Sequence, residues 1–415
     1  MDKAVRVLTR AYEGSRAVSE PATRAEAGCA RATALALSGD WERAEKLLAE
    51  AEGELPMEPQ FSLHRIHCLM RGSEVAQQRG DARIGLERAQ AAQGLFSDVR
   101  FAPALLQFRV SSRVAESYRL AGRHREAASS YEEAFAQLTK LGRDDTESAA
   151  TTLNNWGLTL YEMGQPSAAE RHLRRAIDIS SADGTEESIS PMLLTNYARV
   201  LGNLDQLDEA ARYAELADAK ARRMGHEFVV YQVLRLRASI YRRRGELERA
   251  AAMLREIEPR LERMMPPGHI AFAGLAMDRA LLAQARGDEA AARLEADRAI
   301  AIVEASGQRA GNLASFLRGR AEIEFQAGRA DRAAADAERA LDLDLESVGP
   351  GVLSSDLGYD YLTLGRALQA QGNRRAAHDA FASAVRHLEP SLGPDHTATR
   401  SARELAASSV QDESR

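Results

Sequence analysis

Lysine is nearly missing from this sequence: four lysines stand against 51 arginines, and the skew runs along the whole chain. It reflects a bias of composition, so no single arginine is informative by itself. Basic and acidic residues number 55 and 61, a formal charge of −6 with an isoelectric point near 6.0. A surface that lies along nucleic acid is ordinarily basic, so nucleic acid is not an expected partner. Aromatics make up only 5% of the chain, which counts against a sheet core, where aromatic and β-branched side chains gather. The two cysteines, Cys29 and Cys68, are too few for a disulfide framework. No apolar run approaches the ~18 residues a membrane span needs, and the opening MDKAVRVLTRAYEG lacks the apolar core of a signal peptide. A soluble chain without membrane insertion is expected, cytoplasmic, or extracytoplasmic if it follows a membrane span in a longer protein. The signatures of familiar catalysis are missing too, with no G-x-S-x-G, P-loop or HExxH. Neither an enzyme nor a cofactor is expected.

What the chain has in quantity is alanine, 77 residues of it. Alanine is the strongest helix former and small enough to let helices approach closely. Its placement is periodic. A turn residue recurs at Gly39, Gly80, Gly122, Gly164, Asp205, Gly245, Gly287, Gly328 and Gly372, in steps of 40 to 44 residues. Glycine suits the left-handed turn that ends a helix, and aspartate tolerates it better than most residues. Seven residues before every turn the side chain is small, from Ala32 to Gly365, and five after it is small again, from Ala44 to Ala377. Twelve after, it is alanine in eight of nine cases, Ile257 being the exception. Between these, nine after the turn, sit larger groups such as Leu48, Tyr131, Leu173, Leu254 and Phe381. The pattern is a hairpin of helix A, turn and helix B, written nine times, with the two helices crossing at the small positions. One hairpin cannot bury its apolar face alone, so neighbours must stack.

This spacing resembles the tetratricopeptide repeat, most clearly in TLNNWGLTLYEMGQPSAAERHLRRAI with Trp156, Gly157, Gly164, Ala169, Leu173 and Ala176. The step is longer than that family's standard repeat of about 34 residues, and TLNNWGLTLYE is similar to the kinesin light chain variety. The resemblance implies an all-α, right-handed superhelical solenoid of nine helix–turn–helix repeats, over about 22–390. Ala4, Leu8 and Ala11 repeat the helix B spacing with no helix A before them. They predict an N-terminal half repeat over 1–18, read as a sign that the chain was cut from something longer. A capping helix is expected at about 397–407 and a disordered tail over 408–415. No Gly/Ser-rich or Pro-rich linker divides the chain, so a single solenoid over 1–407 is expected. SLGPDHTATRSARELAA and GRDDTES are similar to the C-terminal repeat region of bacterial Ser/Thr protein kinases. No Gly-rich loop with a strand lysine, HRD or DFG is present, so what this likeness implies is a regulatory or docking segment.

His64, His67 and Cys68 share a helix face, with Cys29 as the one further ligand available. Zinc sites offer tighter paired motifs, so these are read as packing residues and no metal is expected. Asp144–Asp145 and Glu186–Glu187 fall beside helix starts, where negative charge suits the helix dipole. The resemblance implies instead that ligands meet the concave face, at helix A residues ten, nine, six and three before each turn. In the four middle repeats these sixteen positions hold five arginines, three asparagines and one acid. Arg113, Asn154, Asn155, Asn196, Arg199, Arg235 and Arg242 are the expected peptide- or protein-binding residues. Arginine can clamp a carboxylate and asparagine can hold a peptide backbone. The competing reading is a solvated face whose arginines pair with nearby acids.

A scaffold or sensor module is therefore expected, capturing a peptide or protein segment of partly acidic character. One alternative is self-directed, the solenoid docking on its own kinase domain or dimerising. Another is a peptide-signal-binding regulator of transcription, although no DNA-binding helix-turn-helix is legible. A monomer is expected, with weak self-association through the truncated N-terminal end.

Overall fold

The structure is a computed structural model and describes residues 2–99, 101–182, 184–306, 310–349 and 351–413. Among the described residues there is no strand, and twenty α-helices follow one another. A lone α1 (Asp2–Ser15) precedes nine A/B hairpins. These are α2/α3 (Pro21–Leu37, Trp41–Glu54), α4/α5 (Ser62–Arg79, Ala82–Gly94), α6/α7 (Ala104–Leu120, His124–Lys140) and α8/α9 (Glu147–Glu162, Pro166–Ser180). Then come α10/α11 (Pro191–Asn203, Leu207–Arg223), α12/α13 (Glu227–Arg243, Leu247–Met264) and α14/α15 (Ala271–Ala285, Glu289–Ser306). Last are α16/α17 (Ala310–Gln326, Ala330–Val348), α18/α19 (Ser355–Ala370, Arg374–Leu392) and the single α20 (Thr397–Glu413).

The turns follow the predicted chemistry. At the first, Gly39 N–H donates to the Ala36 carbonyl (2.9 Å) and Asp40 N–H to that of Leu35 (3.0 Å), closing the exposed end of helix A. The Asp40 carboxylate then accepts from Arg43 N–H and starts helix B. All eight recurring glycines are left-handed, and Asp205 (φ 62°) is the one non-glycine residue so placed among the described residues. The small positions are the core. Ala115, Ala127 and Ala134 are fully buried, and so are their equivalents Ala280, Ala292 and Ala299. At Gly365 a Cβ would meet the Phe381 ring at 2.6 Å, so the last hairpin closes only without one.

The chain divides into two compact units, Met1–Thr159 and Leu160–Arg415. In the first, Tyr12 of α1 packs on a cluster of Cys29, Ala32, Leu48 and Cys68, with the Arg31 guanidinium 4.7 Å from its ring. Val5 and Leu8 of this half repeat are half-buried. The sequence reading of the cysteines needs correction, because Cys29 and Cys68 are bonded to each other. They lie on successive helices A, α2 and α4, with Cα atoms 5.4 Å apart, and their separation of 39 residues is close to one repeat. Cys29 stands ten residues before its turn and Cys68 twelve before its own, and that offset of about 200° around the helix turns the two side chains toward each other.

In the second unit the stack meets itself. The Ser355 N–H, at the start of α18, donates to the Gly164 carbonyl at the turn into α9 (2.7 Å). Asp205, at the α10–α11 turn, accepts from the Thr397 hydroxyl (2.5 Å) and amide (3.2 Å) at the start of α20. His396 donates from Nε2 to the Asn203 carbonyl (3.0 Å), and its Nδ1 accepts from Ala398 N–H (3.1 Å). Leu204 packs beside this clasp on Leu362, Leu388 and Ala402. The tail expectation also needs correction, since α20 continues to Glu413. Residues 414 and 415 lie outside those described.

Asp205 thus stands in the turn where the other repeats have glycine, and its carboxylate caps a helix nearly half the chain away. Asp205→Gly gives that turn the residue its backbone prefers and removes the cap. Hydrogen exchange should show the amides of Thr397–Arg400 at least tenfold faster, with α10 and α12 unchanged. Unaltered protection there would mean that α20 is held by packing alone.

Candidate functional site

Helices A of the second unit present their register positions to two adjoining cavities. The first, of about 420 Å³, is lined by Arg199 of α10, Gln232, Arg235 and Ser239 of α12 and Asp278 of α14, with Tyr161, Asn203 and Tyr231 among its other walls. Arg235 lies flat across α14. Its Nε donates to Asp278 (2.5 Å) and its Nη2 to Asp278 and to the Gly274 carbonyl (both 3.2 Å). A Cβ at residue 274 would come within 2.6 Å of that guanidinium, so glycine makes the bed. Burial alone would lower the Arg235 pKa, but Asp278 and Tyr231 outweigh it and hold the group well above its ordinary value. The charge of Arg235 is therefore neutralised inside the protein. Arg199 differs. Its hydrogen bond runs to a neutral amide, Gln232 Oε1 (3.3 Å), and no ion pair to it occurs among the described residues.

The remaining expected residues scatter. Asn196 is buried (3% exposed) and does not line either cavity. Helix A turns by about 100° per residue, and the nine-before position of α10 faces the core. In the first unit Asn154 donates to Asn155 (2.9 Å). Arg113 donates to Gln77 (2.9 Å) and sits 3.7 Å from Glu74. It lines a separate cavity of about 500 Å³ with Glu26, His67, Arg109 and the bonded Cys29 and Cys68. Glu26 bridges His64 and His67 through one oxygen, at 2.7 and 3.2 Å, which accounts for the HRIHC pair without a ligand. With Cys29 in a disulfide, it is not free to join them.

Arg242 lines the second cavity of the later unit, about 760 Å³, which draws on α12, α14, α16, α18 and α20. Sequence reasoning missed most of this cavity because it stopped at the middle repeats. The same count, ten, nine, six and three before each turn, yields Asp278 and Leu281 in α14, Arg318, Gly319 and Glu322 in α16, and Leu362, Thr363 and Arg366 in α18. Arg318 is held by three carboxylates, those of Asp356 (2.9 Å), Asp360 (2.8 Å) and Asp344 (3.1 Å). One guanidinium cannot balance three carboxylates when those of Asp344 and Asp360 are both buried. Burial pushes the Asp344 carboxyl up to about 8, against the pull of Arg318 and with the help of Asp360 and Asp356. Asp360 is fully buried and is raised as well, again by burial first. Its second oxygen meets no donor among the described residues, and a proton carried by Asp344 supplies one.

A proton bound more tightly in the folded state has a definite sign. Below about pH 4 both states carry it; from there up to about 8 only the folded state does. This group's contribution to stability therefore falls as pH rises, by at most about 1.4 kcal/mol per pH unit. Asp344→Asn removes the titration. Urea unfolding should show wild type losing stability relative to this variant between about pH 5 and about pH 8, and a constant difference would contradict the shared proton.

A tetratricopeptide repeat family model matches residues 106–182, and no curated protein sequence matches the chain. Among solved structures the chain is similar to the apo form of RapI, at 12% identity and a TM-score of 0.58, over 82% of this chain and 92% of that one. It is similar to the apo form of the quorum sensor NprR from B. thuringiensis, at 12% identity and a TM-score of 0.56, over 87% and 97%. A Rap protein complexed with Competence and Sporulation Factor matches at 13% identity and a TM-score of 0.54, over 86% and 99%. At such identities the likeness is one of fold. The tetratricopeptide repeat match lies inside the run of nine hairpins, and the solved structures extend the likeness of fold along the chain.

Proposed function

We propose that the chain is an interaction module, not a catalyst, and that helices A of its second unit capture a peptide or protein segment. The observation that carries this reading is Arg199, a half-buried cation facing a cavity, with no acid of its own. Other arginines of these cavities are spent internally: Arg235 on Asp278 and Arg318 on its three aspartates. Arg199 retains capacity for a carboxylate from outside, and Gln232 and Asn203 beside it can bond a peptide backbone. Similar folds include a protein called a quorum sensor and one complexed with Competence and Sporulation Factor, which supports a sensor role. The likeness of GRDDTES and the SLGPDH stretch to kinase-attached repeats favours a regulatory segment as the setting. None of the helices among the described residues is long and apolar enough to cross a membrane.

An array of immobilised nonapeptides, acidic and neutral, tests the reading. Acidic members should retain the labelled protein more strongly, and retention should weaken as salt rises, because half-exposed charges are screened. Arg199→Glu should reduce retention at least tenfold with circular dichroism unchanged. Arg235 is the wrong residue to reverse, since a glutamate there would face Asp278 and unsettle the fold. Equal retention of acidic and neutral peptides, or full retention by Arg199→Glu, would remove the groove from consideration.

A further inference from the structure

The larger cavity of the second unit contains a second arginine without an acid. Arg242, three residues before the Gly245 turn, is half-buried, and among the described residues its guanidinium makes no hydrogen bond or ion pair. Burial pushes its guanidinium below the ordinary value; Asp278 opposes that shift and the adjoining Arg243 adds to it. The acid that opposes the shift is already committed, because Asp278 accepts from Nε and Nη2 of Arg235. Arg243 is engaged too, with Asp205 and the Gly202 carbonyl. A half-buried cation with nothing to balance it costs stability.

The surroundings suit an anion. Arg366 enters the same cavity from α18, donating to the Ser401 hydroxyl (3.1 Å) and only loosely paired with Glu322 (3.6 Å). Thr363 adds a hydroxyl to the wall. The cavity is walled by α12, α14, α16, α18 and α20, and the Asp205 clasp fixes α20 on the remaining side. It adjoins the Arg199 cavity, as Tyr161, Asn203 and Arg243 line both. A segment seated at Arg199 can therefore continue to Arg242.

We propose that this cavity is a carboxylate-binding site centred on Arg242, which anchors the captured peptide by a free C-terminus or by an acidic side chain. The proposal rests on the reading that the groove takes a peptide. It adds a second carboxylate-recognising point beyond Arg199, at Arg242 assisted by Arg366. The missing counter-ion is then the ligand's own, supplied through a bidentate pair in a walled site.

Three dye-labelled hexapeptides test it by fluorescence anisotropy: a neutral peptide with a free C-terminal carboxylate, the same peptide as its C-terminal amide, and an amidated peptide with one central glutamate. At least one carboxylate-bearing probe should bind and the neutral amide should not; which one binds identifies the source of the carboxylate. Arg242→Gln should weaken that binding at least tenfold, with Arg242→Lys intermediate. Because Arg242 has no internal partner, Arg242→Gln should also melt no lower than wild type, unlike a residue with a structural role. Unchanged binding by Arg242→Gln together with a loss in Arg199→Gln would overturn this site and leave the groove standing. Binding of the amide as tight as the others, or a melting temperature lowered by Arg242→Gln, would overturn it as well. If no probe binds wild type, the groove and this site fall together.

Discussion

The crossing of helix A over helix B at side chains no larger than a methyl group is the contact on which everything else in this protein depends. A packed core has few voids, so the side chain at a crossing sets how near two helices can lie. Ala280 and Ala292 meet in one such crossing, Ala115 and Ala127 in another, and all four are fully buried. Because the small positions stand at fixed distances from each turn, they fix the rotation of every helix A about its own axis. That rotation decides which residues enter the cavities of the second unit and which enter the core.

The groove is then a question of charge accounting. Helix A faces that carry several arginines would repel one another unless acids came with them, and the acids are present in the neighbouring helices. Arg235 reaches one helix onward to Asp278, Arg318 reaches Asp344, Asp356 and Asp360, and Arg320 takes Asp297 and Asp336. Such pairs hold the register of successive repeats, in the way that buried polar groups specify one arrangement among several. Arg199 and Arg242 depart from this scheme, and the proposed binding surface rests on that departure. The Asp205 clasp and the Ser355–Gly164 bond add a second constraint, holding late helices of the unit against early ones.

The fold was legible because its determinants are local and repeated. The turn residues, the three small positions and the single helices at either end all follow from counting along the chain. The site was legible only in part. Register arithmetic picked out Arg199, Arg235 and Arg242, but it could not tell a compensated guanidinium from an open one, since that depends on an acid about forty residues away. Asn196 illustrates the limit of a fixed count: a rotation of α10 by a fraction of a turn is enough to bury it. The Cys29–Cys68 bond was available in principle. Two cysteines on successive helices A, offset by two residues in register, point at each other across the stack, yet their small number argued for packing residues. The clasp was foreshadowed by Asp205, the one turn that abandons glycine, but its partner nearly 200 residues later leaves no local trace.

Thermal denaturation of Ala292→Arg tests the crossing most directly. Ala292 is fully buried against Ala280, Ala296 and Ala299, so an arginine there has neither room nor an acid set aside for it. A loss of about 3 kcal/mol is expected, seen as a lower midpoint by circular dichroism, while Leu294→Arg, at an exposed position of the same helix, should melt like wild type. Equal midpoints for the two variants would mean that the small positions do not set the helix crossings, and the register from which the groove was derived would have no basis.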